Sequence, residues 1–191
     1  MRKFIRLQEP DILRDNWVFW GKEYEKEKKE NSKHRFSWKQ STYQQIISLL
    51  LLQTQEHCSY CDNYHLKKGD FSVDHFKPKS KFFAIAYKWD NLFFCCWHCQ
   101  QAKGQQYSDN LLRPDVEDFS FSRYFTYNYS DHEIRFNDSA SEEDQLKAIE
   151  TIRIFDLNHT GLKRARRLSF TAFNKDPNPI VQDYSYRFIL D

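Results

Sequence analysis

Residues 58–61 of this chain read CSYC and residues 96–99 read CWHC, which places two C-x-x-C pairs 34 residues apart. A two-residue gap lets both sulfurs of a tight turn face one ion, and two such turns complete the tetrahedral sulfur shell that suits Zn²⁺. We therefore predict a structural zinc bound by the four cysteines of these pairs: Cys58, Cys61, Cys96 and Cys99. The alternative is four buried cysteines without a metal, which requires the paired spacing to arise by chance.

The predicted zinc clamps the segment between the two pairs. It has no catalytic role, because four thiolates leave no coordination position open. The fifth cysteine, Cys95, breaks the spacing and is interpreted as a buried thiol outside the shell.

Composition and charge restrict the class of protein. A chain of 191 residues suits one domain, or one domain with a helical appendage. Basic residues number 29 and acidic residues 27, so any phosphate-binding surface must come from local clustering. The sequence has neither the run of about 18 apolar residues that a membrane span needs nor an apolar signal peptide. We expect a cytoplasmic protein without membrane association, in which thiols stay reduced.

The segment between the cysteine pairs carries polar side chains suited to phosphodiester hydrolysis. In residues 70–79, DFSVDHFKPK, Phe71 and Val73 alternate with polar residues as in a short strand. Asp74 and His75 are adjacent, so on a strand they point to opposite sides. Hydrolysis needs one group that holds a divalent cation and another that deprotonates water. A carboxylate suits Mg²⁺, and a neutral imidazole suits the base.

Further motifs follow in a fixed order. Asn91-Leu92 lies between the two cysteine pairs, and Lys103-Gly104 follows the second pair. Together with both C-x-x-C pairs and Asp-His, this order resembles the HNH endonuclease family over about residues 57–104. The resemblance implies an α+β fold: a ββα-metal core with a structural zinc, embedded in a mainly helical scaffold.

The resemblance also implies roles for individual residues. His75 is expected to be the general base, and Asp74 the carboxylate that holds catalytic Mg²⁺ or Mn²⁺. Asn91 is expected to orient the catalytic loop by hydrogen bonding. The family usually has His or Asn after the last cysteine as a second metal ligand, whereas this chain has Gln100. His98 is the alternative second ligand.

Basic side chains near the motifs are predicted to contact nucleic acid. One group lies in or beside the zinc-clamped segment: Lys77, Lys79 and Lys103. The other lies on a basic helix expected over about residues 160–172, where four cations within five residues could neutralise several phosphates: Lys163, Arg164, Arg166 and Arg167. A solvated helix without contacts is the alternative for this second group. His159, at its start, is expected to cap the helix.

The motifs divide the chain into three parts. Residues 1–56 form an N-terminal helical region for scaffolding or partner docking, 57–104 form the zinc-clamped nuclease core, and 105–191 add a hairpin and helices. The charge run at 22–30 is interpreted as a solvated helix. Ser41 and Gln44 match a capping box that opens a helix over about 41–56. A hairpin is expected within 119–136, and Ser141 precedes an amphipathic helix.

Further segments of the sequence resemble one particular branch of the HNH family. The helical N-terminal extension, residues 74–80 (DHFKPKS) and Leu157-Asn158-His159 with Leu162 and Arg166 are similar to PtuB-type nucleases of Septu antiviral systems and retron-linked Septu operons. This similarity implies a PtuA-like ABC-type ATPase as partner. In the retron-linked operons it implies a complex with a reverse transcriptase and its msDNA. The substrate would be nucleic acid, either DNA or structured RNA.

A second hypothesis stays open at this stage. A non-catalytic zinc module that binds nucleic acid or a protein would share the cysteine pairs. Gln100 favours this alternative, because it departs from the usual metal ligand. Asp74, His75 and Asn91 favour the enzyme, since a binding module has no need for that combination.

Overall fold

The computed structural model describes residues 1–39, 42–64 and 69–190, and its mixed α+β architecture confirms the predicted class. The helices are α1 (Asp11–Arg14), α2 (Trp17–Glu30), α3 (Thr42–Thr54), α4 (Trp97–Lys103), α5 (Phe121–Tyr124), α6 (Glu142–Ile154) and α7 (Thr160–Lys175). The strands are β1 (Phe71–His75), β2 (Leu92–Cys96), β3 (Phe125–Asn128) and β4 (Glu133–Phe136). Among the described residues, no helix combines the length and apolar character that crossing a membrane requires.

Two antiparallel strands and the helix after them form a ββα unit. β1 pairs with β2, from Phe71 opposite Cys96 to His75 opposite Leu92. α4 follows β2 directly. This order confirms the predicted core and the strand expected around Phe71 and Val73.

Side chains on the two faces of β2 pack into two different hydrophobic cores. Because side chains alternate along a strand, Phe93 and Cys95 enter one core while Leu92 and Phe94 enter the other. The first core also holds the four paired cysteines and apolar side chains of the β3–β4 hairpin and α6. The second holds apolar side chains of α2 and α3. The sheet therefore joins the N-terminal helices to the rest of the protein.

The N-terminal region packs closely against the loop between β1 and β2. Gly21 of α2 permits this approach, because a Cβ at that position would lie 2.0 Å from the Ala84 carbonyl oxygen. α2 includes the charge run at 22–30, so its helical prediction is confirmed. The run is not merely solvated, however, since Tyr24 is buried and Lys28 lines a cleft described below.

The predicted helix over about 41–56 is present as α3. Its proposed capping residue, Ser41, lies outside the described residues, and its role stays a prediction. Thr54, at the end of α3, donates from its hydroxyl to the Leu50 carbonyl oxygen at 2.9 Å. α3 packs against β2 and supports the sheet from the side of the second core.

The C-terminal elements match their sequence signals. The expected hairpin is formed by β3 and β4, with Phe125 opposite Phe136. The Ser141 hydroxyl caps α6 by accepting from the Asp144 N–H at 3.2 Å. His159 caps α7, because its Nδ1 accepts from the Gly161 N–H at 3.1 Å.

A buried carboxylate ties the first residues of the chain to the segment after α4. Asp115 accepts from Arg6 Nε and from Arg113 Nη2, both at 2.8 Å. Burial by itself raises the pKa of Asp115, but the hydrogen bonds and charges of Arg113 and Arg6 outweigh it and hold the pKa below its ordinary value. The ionised carboxylate therefore fixes the N-terminal segment in place.

Candidate active site and cysteine cluster

The four predicted zinc ligands lie together inside the protein. Their Sγ atoms are all within 4.8 Å of one another, and all four residues are buried. A zinc–sulfur distance of about 2.3 Å in a tetrahedral shell separates neighbouring sulfurs by roughly 3.8 Å. The Sγ atoms of Cys61 and Cys96 are 3.6 Å apart, and the Cys96 N–H lies 3.3 Å from Cys58 Sγ. The cluster is therefore able to hold a structural metal.

The turn that carries Cys58 and Cys61 is fixed by a contact that sequence reasoning missed. Asp62 follows the turn with a φ of 62°, and its N–H donates to the Cys58 carbonyl oxygen at 2.9 Å. Its buried carboxylate accepts from the Arg187 N–H and from Arg187 Nη2, both at 2.7 Å. The two residues are 125 positions apart, so no local spacing could reveal the pair. The C-terminal segment thus holds the cysteine turn.

Cys95 is buried and lies outside the four-sulfur cluster, as predicted. Its Sγ donates to the Cys96 carbonyl oxygen at 3.3 Å. Burial raises the pKa of the Cys95 thiol well above its ordinary value. The protonated form is therefore favoured over a thiolate that could bind a metal.

His75 ends β1, and side chains of the N-terminal region enclose its ring. Trp38 stacks on it with 5.8 Å between ring centroids, and Phe36 meets it edge-on at 5.1 Å. His75 Nε2 lies 2.9 Å from the Ala86 carbonyl oxygen. Because a carbonyl oxygen can only accept, Nε2 carries the ring proton and Nδ1 keeps its lone pair.

The surroundings of His75 also set its charge. Burial lowers the pKa of His75 well below its ordinary value, and the nearby positive charge of Lys79 adds to this effect. The imidazole is therefore neutral at physiological pH. A neutral imidazole with an available lone pair is able to accept a proton from water.

Asp74 is buried beside His75, and its carboxylate already accepts two donors. The Tyr60 hydroxyl donates to Oδ2 at 2.9 Å, and the Lys103 ammonium lies 3.1 Å from the same oxygen. Burial raises the pKa of Asp74, although the charge of Lys103 opposes this effect. Tyr60 was not predicted as a site residue, because nothing in the sequence places a C-x-x-C side chain against the Asp-His motif.

The structure corrects the prediction that Lys103 contacts the phosphates of nucleic acid. Its side chain is 1% exposed, and its ammonium group donates to the His75 carbonyl oxygen at 2.6 Å. With Asp74 as its second partner, Lys103 is an internal cation beneath the site. The spacing after Cys99 indicated its proximity to the site but not its burial.

Asn91 joins two parts of the loop between β1 and β2. Its Oδ1 accepts from the Lys77 N–H at 2.8 Å, and its Nδ2 donates to the carbonyl oxygens of Lys77 and Ile85 at 3.1 and 3.2 Å. Ile85 precedes Ala86, whose carbonyl oxygen accepts from His75. A short path of hydrogen bonds and backbone therefore connects Asn91 to His75.

A cleft of about 510 Å³ opens beside this pair of motifs. It is lined by residues from three separate parts of the chain: Tyr24, Lys28, Arg35 and Phe36; Asp74, His75, Pro78, Lys79 and Ser80; and Gln100, Gln101, Gly104 and Gln105. These described lining residues include three cations and one carboxylate. The four from the N-terminal region were not predicted, because no motif connects them to the core.

Gln100 lines this cleft together with Asp74 and His75, whereas His98 does not. His98 borders a separate cavity of about 300 Å³, and its Nε2 is 3.2 Å from the Asp156 carbonyl oxygen. This placement favours Gln100 over His98 as the partner of Asp74. A carboxylate and an amide carbonyl are oxygen donors, which fits Mg²⁺, an ion that binds few protein groups along with water and substrate phosphates.

The structure also corrects the prediction for Arg166. Its side chain is fully buried, and its guanidinium donates to the carbonyl oxygens of His132 and Leu157 at 2.9 and 2.8 Å. Arg166 therefore stabilises the contact between α7 and the hairpin. It does not face a ligand in solvent.

The other basic residues predicted to contact nucleic acid differ in how exposed and how paired their side chains are. Arg164 and Arg167 are exposed on α7, while the Lys163 ammonium is paired with Glu133 at 2.9 Å. Lys77 is half-buried, with its ammonium 5.0 and 5.4 Å from two aromatic ring centroids. Lys79 alone of the predicted contacts lines the cleft in the described part of the chain.

Comparison with known proteins agrees with this geometry. Residues 58–106, which are 49 of the 191 residues, match the family model described as HNH endonuclease. The matched segment includes β1, β2 and α4 with all four clustered cysteines. No curated protein matches the chain with significant similarity. The chain therefore contains an HNH endonuclease domain at residues 58–106.

Proposed function

We propose that the cleft hydrolyses phosphodiester bonds of nucleic acid, DNA or RNA, as a metal-dependent HNH endonuclease. The HNH domain supports a nuclease with a nucleic-acid substrate. The observation that carries the proposal is the orientation of His75. Its Nε2–H is held by the Ala86 carbonyl oxygen, which leaves Nδ1 as the proton acceptor of a residue that lines a cation-rich cleft.

Each residue of the cleft has a role in this proposal. His75 Nδ1 removes the proton from the attacking water. Asp74 and Gln100 hold Mg²⁺ or Mn²⁺, an ion that would supply positive charge at the phosphoryl oxygens. Lys79 and Lys28 attract the phosphate backbone. Asn91 acts as a positioning residue, because it holds the loop that orients His75.

The four-cysteine cluster is proposed to bind one structural Zn²⁺. The spacing of its sulfur atoms supports a tetrahedral shell. Zinc there would fix the two ends of the segment that carries Asp74 and His75, since Cys61 precedes this segment and Cys96 follows it. Its removal should therefore unfold the domain as well as abolish cleavage.

The test of the base is cleavage by the His75→Ala protein. Loss of a general base typically slows a reaction by about 10²–10⁴-fold, while the cysteine cluster and the cations stay in place. Folding and nucleic-acid binding should survive. His132→Ala is the matched control, because His132 lies outside the cleft and should leave the rate unchanged. Cleavage at the wild-type rate by His75→Ala would disprove the mechanism.

The metal ligands are tested by rescue. Asp74→Ala should lose cleavage through loss of the metal, and excess Mn²⁺ should restore part of it. Added metal should not rescue His75→Ala, because an ion cannot replace a positioned base. If Gln100→Ala cuts normally while His98→Ala does not, His98 is the second ligand despite its separate cavity.

A non-catalytic zinc module is the second candidate function. Two observations favour it: Gln100 departs from the usual ligand, and the Lys103 ammonium already neutralises Asp74. Such a module would bind nucleic acid without cutting it under any divalent cation. Failure of the wild-type protein to cleave DNA or RNA with Mg²⁺ or Mn²⁺, with its partner present, would select this candidate.

We further propose a cytoplasmic antiviral role beside a PtuA-like ABC-type ATPase, with or without a retron reverse transcriptase and msDNA. The sequence similarity of the flanks to PtuB-type nucleases supports this role. On α2, Val18 and Phe19 are 46% and 61% exposed, which offers an apolar contact for such a partner. Phe19→Asp should then abolish co-purification with the ATPase. Leu52→Asp, an equal change at an exposed residue of α3, should not.

A further inference from the structure

The carboxylate of the proposed catalytic metal site is already paired with a fixed cation. The Lys103 ammonium lies 3.1 Å from Asp74 Oδ2 and 3.3 Å from Oδ1. A third contact, 2.6 Å to the His75 carbonyl oxygen, and almost complete burial keep it there. Moving the Lys103 ammonium away from Asp74 would therefore break these hydrogen bonds.

The rest of the cleft adds positive charge. Lys28, Arg35 and Lys79 line it, and Asp74 is the one carboxylate among its described lining residues. Together with Lys103, which pairs with Asp74, these side chains give four cations and one carboxylate, a net charge of +3. Before nucleic acid binds, a divalent cation that approaches the cleft meets strong like-charge repulsion, and its main anionic ligand, Asp74, is shared with the Lys103 ammonium.

A bound nucleic-acid backbone would lower the net positive charge of the cleft. Each phosphodiester brings one negative charge, and its oxygens are themselves ligands that Mg²⁺ prefers over an all-protein cage. We infer that the nucleic-acid backbone binds this cleft first, without a divalent cation, and that its phosphate completes the metal site of Asp74 and Gln100. Metal binding is then coupled to substrate binding, and the coupling is reciprocal. The inference rests on the proposed metal site.

Direct binding measurements test the coupling without relying on cleavage. The zinc-loaded full chain is titrated with Mn²⁺, and free Mn²⁺ is followed by electron paramagnetic resonance. Titrations are made alone, with a short single-stranded DNA and with the RNA of the same sequence. The His75→Ala protein is used so that the strand stays intact, and oligonucleotide alone and the Asp74→Asn protein define the background. The Kd for Mn²⁺ should fall at least tenfold with oligonucleotide, and oligonucleotide should bind without added metal.

Variants identify the source of the effect. Lys103→Met should tighten Mn²⁺ binding to the free protein at least tenfold and reduce the gain from oligonucleotide. Lys79→Gln should act in the same direction, and it keeps the test valid if Lys103→Met does not fold. Lys26→Gln removes an equal charge from α2 outside the cleft, where Lys26 pairs with Glu30, and should change nothing.

Two results would overturn the inference. One is an equal Kd for Mn²⁺ with and without both oligonucleotides. The other is an unchanged Kd in both Lys103→Met and Lys79→Gln. Coupled binding without cleavage by the wild-type protein would refute the proposed function and leave the coupling standing. Cleavage by the wild-type protein without coupled binding would refute this inference and leave the proposed function standing.

Discussion

Replacing Asn91 by alanine should destabilise the protein and misplace His75, the proposed general base. The side chain makes three hydrogen bonds to the backbone of the loop between β1 and β2, at 2.8, 3.1 and 3.2 Å. Each such bond contributes about 0.5–1.5 kcal/mol net, and a buried group left without a partner costs about 1–3 kcal/mol. We expect a loss of about 2–4 kcal/mol in the free energy of unfolding, measured by denaturant titration of the zinc-loaded protein.

The same substitution should lower kcat more than it changes KM. Asn91 holds the Ile85 carbonyl, and the next residue, Ala86, holds the ring of His75. A displacement of about 1 Å at a reacting group can reduce the rate by about 10²-fold. Substrate binding should change little, because the Asn91 side chain bonds to the backbone of Lys77 and Ile85, which do not line the cleft.

A neighbouring substitution provides the control. Asp90→Ala removes a half-exposed ion pair with Lys88, 2.8 Å long, which should contribute less than about 1 kcal/mol. If Asn91→Ala is no more destabilising than Asp90→Ala, the side chain does not hold the loop. Retention of the wild-type kcat by a destabilised Asn91→Ala protein would refute the link to His75.

Three further predictions concern the four-cysteine cluster, the basic helix α7 and stability in acid. Cys58→Ser should lose about one zinc per chain by elemental analysis and lower the Tm, whereas Cys95→Ser should keep the zinc. Arg166→Met should lower the free energy of unfolding by at least about 2 kcal/mol, while Arg167→Gln should leave it unchanged. If α7 contacts phosphate, Arg167→Gln should reduce the salt dependence of nucleic-acid binding, and Arg166→Met should not. The pKa of Asp115 is lowered in the folded state, so its contribution to stability is complete above the unfolded pKa of about 3.9 and is lost as pH falls through the folded pKa. Asp115→Asn should therefore show a flatter decline in stability below about pH 4 than the wild-type protein.

The parts of the site that could be predicted are those fixed by local spacing. Two-residue gaps predicted the cysteine turns, because a tight turn places both sulfurs on one side. Alternation around Phe71 predicted β1, and the capping residues Ser141 and His159 predicted the starts of α6 and α7. Each of these signals depends on a few consecutive residues, whose geometry follows from backbone sterics alone.

The parts that could not be predicted depend on contacts between distant segments. Phe36 and Trp38 enclose His75, yet nothing in their own sequence points to a histidine about 40 residues away. The Asp62–Arg187 pair spans 125 residues. Such contacts are decided by how complete elements pack, as in the close approach of α2 that Gly21 permits.

Two of the predicted phosphate contacts, Lys103 and Arg166, are wrong because both side chains are buried. Lys103 and Arg166 carry the same formal charge as the exposed Arg164 and Arg167, but both are satisfied inside the protein. Burying an ion requires partners, so an internal cation determines how its neighbours behave and cannot also bind an external phosphate. For Lys103 the neighbour is Asp74. A residue first assigned to the substrate therefore controls the charge of the proposed metal site, and the affinity of that site for a divalent cation should depend on it more than on any exposed lysine.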